Sequence, residues 1–104
     1  MAWISLTLAG LLEVIWAFYM KQSHGFTRLV PSVITLVAMI ASFALLSFSM
    51  RSLPLGTAYT IWTGIGAVGA FLVGLFILGE PANGLRILAA CLIVSGLVLM
   101  KMAS

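Results

Sequence analysis

Glu13 is the single charged residue between Trp3 and Met20, in the run "GLLEVIWAF" (Gly10–Phe18). Glu80 is the only other acid in the chain. A carboxyl set among apolar side chains has a narrow chemistry: it takes a cation or it carries a proton. Three readings of Glu13 stand side by side. It is a protonated structural residue bonded to a neighbouring helix, or a cation and proton site, or a sign that the apolar run is not a membrane span. Its surroundings bear on the choice. Leu6, Gly10, Glu13, Ala17 and Met20 recur at steps of three and four, which makes one helical face. Trp16 joins Glu13 one turn on. Further along, Ser32, Thr35, Met39, Ser42, Leu46 and Ser49 form a second stripe, with Ser42 near its middle. Tyr59, Trp62 and Gly66 share a third face, with Thr63 beside it. The ring faces suit a cation, and Ser42 is expected to donate to the Glu13 carboxylate and orient it. The alternative for Trp16, Tyr59 and Trp62 is packed or lipid-facing bulk.

The elements that position these residues follow from composition. The chain has 104 residues, is 63% hydrophobic and 7% charged, and has a mean hydropathy of +1.27. A soluble domain carries about 25% charged residues, so lipid must solvate most of this chain. Breaks at "KQSHGFTR", "RSLPLGT" and "GEPANG" divide it into four apolar runs. The reading is an all-α membrane protein, a single domain over 1–104, with helices at about 3–20, 29–50, 58–78 and 84–101. Pro31 falls in the first turn of the second helix, where its missing N–H costs little. Asn83 is placed to cap the fourth, and Lys101 to snorkel from its end. Glu13 lies ten residues beyond Trp3, about 15 Å along the axis, near the bilayer midplane. A charged side chain there costs roughly 2.5 to 3.5 kcal/mol on the most lenient scale, which a bound cation or proton relieves. The first run lacks a basic leader and is expected to be a retained helix rather than a signal peptide.

Orientation is nearly undetermined. Lys21, Arg28 and Arg86 fall on one side, Arg51 and Lys101 on the other. The positive-inside rule needs a bias that is almost absent here. Dual topology is therefore expected, with copies inserted both ways and free to pair as an antiparallel dimer. Two inverted copies would give the inverted-repeat design of many transporters.

Other features have plainer readings. "GIGAVG" (64–69) matches G-x-G-x-x-G but lies inside an apolar helix with no preceding strand, so close packing and a bend are expected instead of a dinucleotide. Ala89 and Gly96 are seven apart on one face of a packing helix. Trp3 is an interfacial anchor, Glu80 a favourable acid before a helix start, His24 a solvated loop residue and Cys91 an apolar filler. The five basic residues form no run, which argues against nucleic acid. No metal cluster, nucleophile–base pair or phosphate loop is evident, so neither an enzyme nor a cofactor is expected.

Four short helices, Glu13 in "AGLLEVIWA", Pro31-Ser32 and "LPLGTAYTIWTGIGAVGA" together resemble the small multidrug resistance family. Trp16, Ser42, Lys101 and "HGFTRL" resemble its guanidinium exporter subtype. The resemblance covers the whole chain. It implies an antiparallel dual-topology homodimer in a bacterial inner membrane, exchanging two protons for each guanidinium exported. It implies that Glu13 is the shared proton and substrate carboxylate, and that Gly10, Trp16, Ser42, Tyr59 and Trp62 line its pocket. It places a bend of the third helix at Gly64 and Gly66, and the dimer contact at Ala89 and Gly96. Thr60 stands where close relatives usually have alanine, which implies a range extending to small substituted guanidiniums or quaternary ammoniums. The rivals are a multidrug or quaternary ammonium exporter of the same fold, a small membrane protein that assembles with a partner, and a cation channel.

Overall fold

The computed structural model describes residues 2–103, all in four helices and their connections. They are α1 (Ala2–Gln22), α2 (Leu29–Ser49), α3 (Leu55–Phe76) and α4 (Gly84–Met102). Each is long and apolar enough to cross a bilayer. Among the described residues there is no strand. α3 begins at Leu55, three residues earlier than the hydropathy pattern suggests. Pro54 stands at its N-cap and its carbonyl accepts the Ala58 N–H at 3.0 Å, so the turn "LGT" is already helical. At α4 the Asn83 side chain accepts the Arg86 N–H at 2.9 Å, the capping bond its position suggests.

α1 is the centre of the bundle and packs on both α2 and α3, whereas the α4 backbone runs close to α3 alone. The Cα envelope is therefore a slab of 40 × 35 × 16 Å. Its thin dimension is little more than one helix diameter of about 10–12 Å. A slab this thin cannot enclose a central chamber by itself.

The core lies at one end of the bundle, where the start of α1, the end of α2 and the start of α3 meet. Leu6, Ala9, Leu46, Ala58, Ile61 and Trp62 are buried together there. The inward stripe of α2 follows the three-and-four spacing, for Thr35, Ala38, Ser42, Leu46 and Ser49 are all buried. Hydroxyls in an apolar solvent need partners within reach. Thr7, Thr35 and Ser95 donate to carbonyls one turn back, at 2.8 Å each. At the same end Lys101 sits over the Trp3 ring, 5.3 Å from its centroid, and ties the end of α4 to the start of α1.

The connection between α1 and α2 is a compact left-handed turn. His24, Gly25 and Phe26 have φ of 50°, 73° and 67°. Only glycine takes that region freely, so His24 and Phe26 are held there by Ser23. The buried Ser23 hydroxyl donates to the Met20 carbonyl at 2.6 Å and accepts the Phe26 N–H at 3.0 Å. Its carbonyl accepts the N–H groups of Thr27 and Arg28.

Candidate functional site

Small residues on α3 let α1 come close enough for Glu13 to touch backbone. A Cβ built on Gly66 would fall on the Glu13 carboxyl, and one on Gly69 would fall on Val14. On the α1 side, a Cβ on Gly10 would lie 2.6 Å from Ile65 Cγ2. Gly10 thus faces Ile65 in a helix contact rather than open space. The "GIGAVG" segment acts as a contact surface in the same way, with α3 helical throughout. Gly64 takes Leu97 of α4 while Gly66 and Gly69 take α1.

Two buried polar atoms at this crossing have no hydrogen-bond partner: Glu13 Oε1 and Trp16 Nε1. One is an acceptor, the other a donor, one helical turn apart. Native interiors rarely leave such groups unpaired, so each is open to a partner from outside the chain: a proton, a water, a ligand or a second copy. The lone acceptor suits a proton or a cationic donor, and the lone indole N–H suits an acceptor on another molecule or copy.

Behind them runs a bonded chain. Trp62 Nε1 donates to Ser42 Oγ at 3.0 Å, and Ser42 Oγ donates to the Ala9 carbonyl at 2.7 Å. This differs from the expected bond between Ser42 and the Glu13 carboxylate. A serine has one proton to give, and here it goes to the α1 backbone. Ala9 is four residues before Glu13, so its carbonyl is also the helical acceptor for the Glu13 N–H. Ser42 therefore supports the carboxylate through the backbone that carries it. Replacing Ser42 by Ala should leave the buried Trp62 N–H without an acceptor, at a cost of about 1–3 kcal/mol. The check is a shifted unfolding midpoint in mixed detergent, with altered tryptophan emission; an unchanged midpoint would count against the bonded chain.

The rings form one line across α1, α2 and α3. Trp16 meets Phe43 edge-on at 6.4 Å, Phe43 meets Trp62 at 5.7 Å, and Tyr59 tilts against Trp62 at 5.6 Å. Phe43 was not anticipated from sequence. Its signal was its place beside Ser42, at the same depth, on the side of α2 turned toward the tryptophans. Tyr59 is half exposed at the open edge of the line, and Thr60 next to it is exposed. Ala89 and Gly96 lie apart from this cluster. Both are on the exposed α4, and a Cβ on Gly96 would meet nothing within 4 Å.

An unpaired carboxyl oxygen, an unpaired indole N–H and a line of rings thus lie together within a bundle of four spanning helices. The sequence model of the family described as Small Multidrug Resistance protein matches residues 1–102. The chain belongs to the small multidrug resistance family. Among similar curated proteins is a guanidinium exporter of Yersinia pseudotuberculosis, 61% identical over 104 residues and covering all of both chains. Guanidinium exporters of Citrobacter freundii and Escherichia coli K12 are each 57% identical, covering all of this chain and 99% of theirs. As a small multidrug resistance protein with four spanning helices, it is a multi-pass membrane protein.

Proposed function

We propose that this protein exports guanidinium in exchange for protons, as an antiparallel dual-topology homodimer in a bacterial inner membrane. The observation that carries the reading is full-length similarity, at 57–61% identity, to relatives named guanidinium exporter. The chemistry of the half-site supports it. Guanidinium is planar and rich in N–H donors, which a pair of carboxylates accepts with charge-assisted bonds. Each copy supplies one Glu13, with an acceptor oxygen that nothing in its own chain occupies. The pair holds protons or one cation, so competition for a single site couples the two fluxes. In an inverted dimer the copies exchange conformations, and each exchange turns the same site to the other side. Trp16, Tyr59 and Trp62 supply ring faces, Gly10 and Gly66 set the depth of α1 against α3, and Ser42 holds Trp62 and the α1 backbone. Ala89 and Gly96 offer an α4 face for the second copy, and Gly64 and Gly66 a point at which α3 bends. The role is transport, not catalysis. Thr60, exposed beside Tyr59, favours a range that includes small substituted cations.

The test is export from liposomes preloaded with labelled guanidinium. An inward proton gradient should drive efflux against a guanidinium gradient. Efflux that ignores the proton gradient would overturn the coupling.

A further inference from the structure

A second place in the molecule already holds a guanidinium: that of Arg86. Its carbon lies 5.3 Å from the centroid of the Phe71 ring, its Nη2 lies 4.0 Å from Glu80 Oε1, and its Nη1 donates to the Pro81 carbonyl. Ring face, carboxylate and carbonyl are the partners that would recognise a free guanidinium. Glu80 is set there by backbone. Its N–H donates to the Gly74 carbonyl at 2.9 Å, and its carboxyl lies against Gly74, where a Cβ would come within 2.5 Å of Oε1. The place opens into a hollow of about 330 Å³ between α1 and α3. That hollow runs from Lys21, Glu80 and Arg86 at the membrane surface down to Val14, the neighbour of Glu13.

We propose that Glu80 and Phe71 form an outer guanidinium subsite, which the Arg86 side chain fills until an exported cation displaces it. The substrate class rests on the function proposed above; the geometry of the subsite does not. The Arg86–Glu80 pair is loose and about two-fifths exposed on both sides, so Arg86 can swing out. A side chain on a short tether competes at an effective concentration in the millimolar range. The free cation therefore occupies the subsite only weakly, as suits a waiting place on the way to or from Glu13. Lys21, facing the same hollow, disfavours two added cations at once, so Arg86 and the substrate alternate. An anionic headgroup fits less well, because in this hollow it would lie against the Glu80 carboxylate.

The chain has two acids, so in Glu13→Gln protein labelled with carboxyl-13C glutamate the side-chain carboxylate signal, distinct from the amide signals of glutamine, comes from Glu80 alone. The experiment titrates that signal with guanidinium chloride in bilayer discs, against sodium chloride at equal ionic strength. The expected result is a saturable shift specific to guanidinium. In Glu13→Gln/Arg86→Ala protein it should saturate at about tenfold lower guanidinium, once the tethered competitor is gone. Arg86→Gln serves the same purpose if the alanine variant loses its native amide spectrum, and Phe71→Leu should move saturation to higher guanidinium. A shift equal to that of sodium chloride, a saturation point indifferent to Arg86, or a response to inorganic phosphate in place of guanidinium would overturn the proposal. Because Glu13 is absent throughout, the result stands or falls separately from the central site.

Discussion

Replacing Glu13 by Gln is expected to abolish guanidinium binding and proton coupling together, in a protein that still folds and inserts. The two side chains have the same shape, so the contact with the Gly66 backbone survives. The amide carries no charge to desolvate, so insertion is not weakened. Binding is another matter. An amide side chain does not titrate, so it carries no proton in exchange, and its own N–H donors face the donors of guanidinium. Each charge-assisted bond lost is worth about 1.5–3 kcal/mol. Both copies of a homodimer carry the change, so the loss is about 3–6 kcal/mol, a hundredfold or more in affinity. Uptake of labelled guanidinium into liposomes by the variant should match protein-free liposomes. Proton-coupled uptake by it would remove Glu13 from the mechanism, and full cellular function in the variant would favour an assembly partner over a transporter.

Gly66→Ala is the second large effect. The added methyl falls on the carboxyl end and Cγ of Glu13. A flexible side chain can yield where backbone cannot, so the fold persists at a cost within the usual range for overpacking, about 1–3 kcal/mol. The carboxyl, however, must leave its place. Misplacing a binding group by about 1 Å can cost up to about a hundredfold in rate, and a fall in guanidinium turnover of about tenfold to a hundredfold is expected. Gly69→Ala is the control. It lies on the same α1–α3 contact but meets Val14 instead of the acid. It should lower stability while sparing turnover per folded protein. Equal losses of turnover in the two variants would mean that helix spacing, not the carboxyl position, matters at Gly66.

The residue pattern carried much of this arrangement. Apolar runs of spanning length leave few alternatives to four helices, and an acid in the middle of one is conspicuous because lipid makes it costly. The face spacing placed Leu6 and Gly10 inward beside Glu13, and Thr35, Ser42, Leu46 and Ser49 inward on α2. Direction was harder to read than depth. Ser42 lies at the expected level, yet its single proton goes to the Ala9 carbonyl. A stripe identifies the facing helix but not which of its atoms a rotatable hydroxyl will choose. Gly10 and Gly66 looked alike in the pattern, and one meets an isoleucine while the other meets the acid. That distinction depends on the rotation of α1 against α3, which periodicity leaves open by a fraction of a turn. The left-handed run at His24, Gly25 and Phe26 was illegible for another reason. Two of its three residues are poor formers of that conformation, and Ser23 hydrogen bonds impose it. The role of Arg86 was hidden because its partners Phe71 and Glu80 come from another helix and another loop.

Proton-coupled guanidinium exchange is tested most directly by the sign of a current. Purified protein in liposomes on a solid-supported membrane is given external guanidinium with no pH gradient. Exchange of one guanidinium entering for two protons leaving moves one net positive charge outward. Current of that sign is expected from guanidinium, smaller current from a small substituted cation and none from a bulky aromatic one. Current of the opposite sign would indicate a cation channel, current from the bulky cation alone would indicate a multidrug exporter, and either would rule out proton-coupled guanidinium export.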